Sequence, residues 1–248
     1  MSQPKSNVPF GFQDIAPEEK TRKVQELFNR VAENYDLMND LMSGGMHRLW
    51  KRQMIQTLAP RPGMKILDVA GGTGDIAFGI LKAEPKVNVT VCDLTPGMLT
   101  VGMKRAKASM KPALKWICGD AASLPFTDHS VDAYTIAFGL RNVTEMQTAL
   151  AEAHRILKPG GRFLCLEFSR VQYPVLNELY EKYAFGLIPK IGAWVAQDEA
   201  AYQYLVESIA RFPPQEELKQ MLMNAGFYQV SYSNLSGGIA ALHGGWKI

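Results

Sequence analysis

The stretch "LDVAGGTGD" (67–75) decides how this chain is read. With Lys65 and Ile66 ahead of it, its first residues form an apolar run that predicts a strand. Gly71, Gly72 and Gly74 then make a turn, and a helical pattern opens at Asp75. Glycines in such a turn let the backbone come close to a ligand, and the helix start offers unpaired N–H groups. Asp93 closes the next predicted strand, 19 positions after Gly74 (93 − 74). A carboxylate at that place accepts hydrogen bonds from a ribose diol. Gly72, Gly74 and Asp93 thus point to a nucleoside-bearing cofactor at the end of a parallel sheet.

The rest of the chain supplies that sheet. "KILDVA" (65–70), "VNVTVCD" (87–93), "LKWICGD" (114–120), "VDAYTIAFG" (131–139) and "RFLCLEFS" (162–169) read as strands, mostly separated by helices or turns. That alternation implies parallel pairing with both faces covered. "LKPGGR" (157–162) reads as a helix end and a tight turn into the fifth strand. "FYQVSYSNL" (227–235) and "GIAALHGGWK" (238–247) form a closing pair whose short link requires antiparallel pairing. The expected architecture is α/β: a Rossmann-like, seven-stranded, mostly parallel sheet with an antiparallel last strand. Around the core of 61–170 and the terminal pair of 226–248 lie an N-terminal helical cap (1–60) and a helical insertion (171–225). The insertion carries Tyr173, Tyr180, Tyr183, Phe185, Trp194, Tyr202 and Tyr204. These aromatics either pack on the sheet or also wall an apolar substrate pocket.

Composition excludes several classes. A chain of 248 residues that is 47% hydrophobic can build one full α/β core. Its net charge of +3 and the absence of a basic block argue against nucleic acid as a partner. Cys92, Cys118 and Cys165 are odd in number and contain no CxxC pair, which predicts buried, inert thiols in a reducing compartment. The N-terminus has no apolar core of a secretory signal, and "AFGLIPKIGAWVA" is too short to span a bilayer. A soluble, cytoplasmic protein is expected. His129, His154 and His243 are scattered, so no metal is expected.

The cofactor has two candidates. Gly72-x-Gly74-x-x-Ala77 also satisfies a relaxed dinucleotide pattern, so NAD competes. Three features favour S-adenosylmethionine. Asp68 lies inside the strand before the turn, where a carboxylate orients the loop and helps hold a cationic methionine portion. In "GDAASLPF" (119–126), Asp120 can receive an adenine amino group while Ala121 offers its backbone N–H. The closing strand pair ends the sheet as in a methyltransferase.

"LDVAGGTGD", "GDAASLPF" and "RILKPGGRFLCLEFS" together resemble a class I S-adenosylmethionine methyltransferase. "YDLMNDLMSGGMHRLWKR" (35–52) with "FGLRNV" (138–143) resembles the ubiquinone/menaquinone biosynthesis C-methyltransferase family, over nearly the whole chain. The resemblance implies methyl transfer to a ring carbon of a polyprenylated benzoquinol or demethylmenaquinol. It implies Thr73, Asp93 and the Asp120-Ala121 pair at the cofactor, and, by its place in "SGGMHRLW", His47 at the substrate, a hydrogen-bonded structural histidine being the other reading. One departure stands out: Ala137 occupies the place before "FGLRN" where relatives often have serine. Another small phenolic acceptor remains the alternative substrate. Other quinone-biosynthesis proteins, a homodimer and the inner face of the plasma membrane are the further partners considered.

"FGLRN" (138–142) poses the chemical question, because a buried strand ends there on an arginine and an asparagine. A quinol methylated on carbon reacts best as its phenolate, yet a free phenol titrates near ~10. A fixed guanidinium stabilises the anion by charge and hydrogen bonding, so Arg141 is the candidate catalytic residue, a surface or salt-bridged arginine being the other reading. Asn142 can bind a ring oxygen as donor or acceptor. Tyr35 can offer its hydroxyl to the quinol or to the cofactor, or cap a helix. Arg48, Lys51 and Arg52 follow the short amphipathic segment of Met42, Met46 and Trp50. That basic, aromatic edge suits anionic lipid or is a solvated face.

Overall fold

The computed structural model describes residues 6–173, 186 and 198–248, and for 34–36, 109 and 111 only the backbone. Tyr180, Tyr183, Phe185 and Trp194 lie outside the described residues, as do most of the insertion's expected helices.

The chain opens with a small hairpin that the sequence did not announce, β1 (Val8–Phe10) against β2 (Gln13–Ile15). Helix α1 (Pro17–Val31) follows, with proline at its start, where a missing N–H costs nothing. The stripe read from the sequence, Val24, Leu27, Phe28 and Val31, is buried. Helices α2 (Tyr35–Ser43) and α3 (His47–Leu58) are split at the glycines Gly44 and Gly45, both at positive φ.

Then comes the alternating core. Strand β3 (Lys65–Val69) leads to α4 (Asp75–Ala83), β4 (Asn88–Asp93) to α5 (Pro96–Arg105), and β5 (Leu114–Cys118) to β6 (Val131–Ala137). Helix α6 (Met146–Ile156) precedes β7 (Leu157–Phe168). After the insertion, α7 (Glu199–Arg211) and α8 (Gln215–Asn224) run to β8 (Tyr228–Leu235) and β9 (Ala240–Trp246).

The seven strands lie in the order β5-β4-β3-β6-β7-β9-β8. Only β9 runs against the other six strands, pairing with β7 on one side and β8 on the other. The expected sheet is therefore the observed one. Strand β7 starts earlier than expected: Leu157 pairs with Val131, and regular pairing resumes at Arg162 opposite Ala133. The turn over 158–161 is an irregularity inside the strand, with Gly160 at φ +78°. Cys118 is exposed, against the expectation, because it ends β5 at the sheet's edge; Cys92 and Cys165 are buried.

This topology positions the site. From β3 the chain winds one way through β4 and β5, then returns to β6 on the other side of β3. Helices on either side of such a reversal diverge and leave a crevice at the carboxyl ends of the strands. The ends of β3 and β6 therefore lie at the crevice, with Val69 paired to Ile136.

Candidate active site

A cleft opens at this switch point. Val69, Ala70, Gly72, Asp93, Asp120, Ala121, Gly139 and Asn142 contribute to it, and Thr21, Val24 and Phe28 of α1 cover it. Residues from the ends of four strands thus meet in one place, as the sequence reading expected.

The glycine turn is built by its neighbours. Gly72 sits at φ +54°, and its N–H donates to Asp93 Oδ2 at 2.8 Å. Gly74 caps α4 at φ +87°, a conformation that costs a residue with a Cβ. Asp93 is buried, and its Oδ1 accepts from the Thr95 N–H at 2.8 Å. Burial raises its carboxyl, against the pull of those two backbone donors. Each oxygen has a lone pair left for a ribose hydroxyl. Asp120 Oδ1 accepts from the Ala122 N–H at 2.8 Å, which holds the turn beside buried Ala121.

Asp68 is fully buried; Thr135 donates to its Oδ1 at 2.9 Å, and its Oδ2 has no partner. Desolvation pushes its carboxyl up to about 7, with the Thr135 bond and Lys51 opposing. A buried carboxylate oxygen without a partner favours a cation beside it. It lines a small hollow with Lys51, Ala70, Gly71 and Thr73, adjoining the glycine turn. An amino-acid ammonium fits this oxygen, a ribose fits Asp93, and an adenine fits Asp120 and Ala121. Thr73 is also buried, but its hydroxyl is engaged, accepting from Arg105 Nη1 at 2.7 Å. Asp75 accepts from Arg105 and Lys51, both at 2.9 Å, and ties the turn to α3 and α5. No local pattern announces this network, since its members are far apart in the chain.

At the end of β6 the backbone is strained. Phe138 is buried at φ +57°, a left-handed conformation rare for a bulky side chain. Such outliers cluster at ligand sites. Phe138 packs on Phe168 at 4.9 Å and on Trp50 at 6.4 Å. The tight turn Leu140–Asn142 follows. It divides the two polar residues. Asn142 faces the cleft, and its Oδ1 accepts from the Tyr204 hydroxyl at 3.1 Å.

Arg141 is placed otherwise than the sequence suggested. Its guanidinium is buried, and Nη1 donates to Glu167 Oε1 at 2.7 Å and to the Phe138 carbonyl. Phe168 lies under it, 5.6 Å from ring centroid to guanidinium carbon. Arg141 does not line the cofactor cleft but a second cavity behind the turn. Glu167 decides this: a carboxylate inside a buried strand needs a partner, and Arg141 is the cation in reach. Its place within "CLEFS" was the one signal that could have foretold the pair.

His47 is likewise elsewhere. It is buried, with Nε2 2.9 Å from Asp40 Oδ1, and it is not among the residues lining the cleft. Desolvation and then Lys51 lower its pKa, which Asp40 partly offsets. The short step from α2 to α3 brings the His47–Asp40 pair together within one unit. Tyr35 begins α2, but its side chain lies outside the described residues. Among the described residues no group of three or more histidines, cysteines and carboxylates could hold a metal ion.

The ubiE/COQ5 methyltransferase family model matches residues 16–247. A ubiquinone/menaquinone biosynthesis C-methyltransferase of Cereibacter sphaeroides is 55% identical over 100% of both chains. The mitochondrial 2-methoxy-6-polyprenyl-1,4-benzoquinol methylase of Oryza sativa is 51% identical over 96% of this chain and 88% of its own. Among solved structures, a SAM-dependent methyltransferase from Thermotoga maritima shares the fold at TM-score 0.64 and 21% identity, covering 91% of this chain and 100% of that one. A family match from Glu18's helix to the last strand, joined to more than half identity along the full length, makes this chain a member of the ubiE/COQ5 methyltransferase family.

Proposed function

We infer that this S-adenosylmethionine-dependent enzyme methylates a ring carbon of a polyprenylated quinol, a benzoquinol or a demethylmenaquinol, in ubiquinone or menaquinone synthesis. The observation that carries the reading is Asn142, held in the cleft wall at the end of β6 by Tyr204. When bound, S-adenosylmethionine supplies a methyl group on a cationic sulfur that departs as a neutral thioether.

The chain's own residues account for the rest. Asp68, Asp93, Asp120 and Ala121 hold the cofactor, with Gly72, Thr73 and Gly74 shaping the turn. Because Tyr204 occupies the amide oxygen of Asn142, the Nδ2 donors are left for the quinol oxygen. Donation there strengthens as the oxygen gains negative charge, so it favours the phenolate. Phe138, backed by Phe168 and Trp50, gives the cleft an apolar wall that excludes water and helps hold an aromatic ring close and in line. Arg141 acts from behind as a positioning residue: paired with Glu167, it fixes the turn that presents Asn142. The described residues of 1–60 and 171–225 cap the core of 61–170 and the terminal pair of 226–248 in a single working unit.

A tailed substrate draws the enzyme to a membrane surface. Among the described residues no helix is long and apolar enough to cross a bilayer. Met42 and Trp50, expected on the docking edge, are buried instead, while Leu37, Met46 and Leu49 are exposed beside Arg48. That edge of α2 and α3 is the surface we assign to lipid.

Purified enzyme given S-adenosylmethionine and a short-chain polyprenyl benzoquinol or demethylmenaquinol should yield a product heavier by one methyl, carbon-bound by NMR. Absence of product with both quinols, alongside turnover of a tail-less soluble phenol, rules the reading out.

A further inference from the structure

Helix α1 lies across the cofactor cleft and is fastened at both of its rims. On the rim after β6, the Lys20 ammonium donates to the Val143 carbonyl at 3.3 Å. Beside it the Thr21 and Thr144 hydroxyls are 2.9 Å apart. Thr21 gives its proton to the Pro17 carbonyl at 3.1 Å, so Thr144 is the donor of that pair. On the rim after β4, the Gln25 amide donates to the Leu94 carbonyl at 3.0 Å, and Asn29 Oδ1 accepts from the Gly97 N–H at 3.1 Å. Gly97 lies in the first turn of α5, where that N–H has no partner within its own helix. A Cβ on Gly97 would overlap Asn29 Oδ1, so glycine is what lets α1 come this close.

Between the rims, Val24 and Phe28 of α1 line the cleft together with Leu94 and Met98. The space beneath is about 80 Å³. A pocket that takes a drug-sized ligand, such as a nucleoside joined to an amino acid, holds roughly 300–1,000 Å³. The cleft must therefore widen for the cofactor to enter. Of its walls, α1 is the one built to give. It packs mainly on α5 and β1 rather than on the seven-stranded sheet. Its fastenings on both rims are side-chain hydrogen bonds, which water replaces at little net cost, whereas the strand ends below it are held in backbone ladders.

We propose that α1 is a lid on the cofactor cleft. It swings off to load S-adenosylmethionine and to release the spent thioether, and it reseats on both rims before methyl transfer. Closure of this kind excludes water and completes a site. Val143 and Thr144 directly follow Asn142, so the fastening on that rim also steadies the turn that faces the substrate. The lid rests on the assignment of this cleft to the cofactor.

Stopped-flow binding of S-adenosylhomocysteine to the full chain tests this. A lid gates entry and exit alike, so loosening it raises both rates and leaves Kd nearly unchanged. Loss of an ordinary contact raises the off-rate alone and weakens binding. Asn29→Ala and Gly97→Ala should each raise both rates about fivefold, the size of one hydrogen bond, with Kd held within about twofold. Thr21→Cys with Thr144→Cys, in a Cys118→Ser chain, fastens the lid as a disulfide. Its oxidation by diamide should slow both rates at least about tenfold, and a reductant should restore them. Should the pair not oxidise, the two single variants decide alone. Unchanged rates, a raised off-rate with an equally weakened Kd, or undiminished exchange in the oxidised chain overturns the lid. If the unaltered chain does not bind the thioether, or Asp93→Asn binds it equally well, the cleft assignment itself falls and the lid with it.

Discussion

The Tyr204 hydroxyl donates to Asn142 Oδ1 at 3.1 Å, across a gap of 62 residues, and so fixes which way the amide faces. Tyr204 is itself held, stacked on Phe10 of the N-terminal hairpin at 4.3 Å. Removing its hydroxyl leaves the ring packed but lets the amide turn over. A neutral hydrogen bond contributes about 1 kcal/mol, or roughly fivefold in rate if it acts only on the transition state. Tyr204→Phe should therefore lower kcat about fivefold with S-adenosylhomocysteine affinity unchanged. Asn142→Ala should cost on the order of 10² in kcat, the size for a lost electrostatic donor. Stopped turnover and equilibrium binding, measured side by side, separate the two effects; an unchanged kcat in Asn142→Ala defeats the assignment.

Arg141 and Glu167 form a buried ion pair, and stability should register its loss first. Removing one member strands the other charge, a penalty of about 3–5 kcal/mol. Arg141→Met should lower the free energy of urea unfolding by that order. Replacing both, Arg141→Met with Glu167→Leu, should recover much of it, since no charge is then stranded. If Arg141→Met leaves unfolding unchanged but abolishes turnover, the guanidinium acts directly on substrate and the positioning role fails.

In the proposed cofactor site, Asp68 should make binding depend on pH. Its carboxyl is raised from the usual range to about 7 by burial. A raised carboxyl stays protonated in the unliganded fold up to that pH, whereas the unfolded chain ionises near ~4. Stability of the unliganded protein from this group is thus greatest at low pH and is lost as pH rises from about 4 through about 7. An incoming ammonium favours the ionised form, so binding expels a proton below about 7. Affinity for S-adenosylmethionine should rise as pH increases from 6 to 8, with proton release seen as a buffer-dependent calorimetric heat. Asp68→Asn should flatten that pH profile and weaken binding; a profile unaltered by the substitution assigns the proton elsewhere.

Local patterns made the sheet legible. The glycine turn, Asp93 and Asp120 are each set by a strand end and a few following residues, so their meeting at one cleft was legible. The mostly parallel sheet and its antiparallel ending followed from the strand–helix alternation and the short closing link, whereas the strand order was not legible. Legibility stopped where contacts are long-range. Tyr204 reaches Asn142 from another helix, and Glu167 claims Arg141 from the neighbouring strand. Nothing in "FGLRN" distinguishes an arginine facing the cleft from one facing the core; only the burial of Glu167 does. In "MHRLWKR" (46–52) the amphipathic pattern is legible but not which side is buried, because Trp50 donates to Ser236 and packs on Phe168.

That same helix supplies the last test. Leu49 is 51% exposed and Met46 38%, with Arg48 beside them and Trp50 anchored inward. An apolar tip with a basic side chain beside it gains from insertion and, more weakly, from anionic lipid, the latter screened by salt. The protein should float with vesicles containing a third phosphatidylglycerol at low salt, and less at high salt. Leu49→Glu should reduce flotation severalfold, because it replaces buried apolar area with a charge that anionic lipid repels. Its turnover of a short-tailed soluble quinol should be unaltered, since Leu49 touches neither cleft nor turn. Equal flotation of Leu49→Glu and the unaltered chain would move the membrane contact to another face.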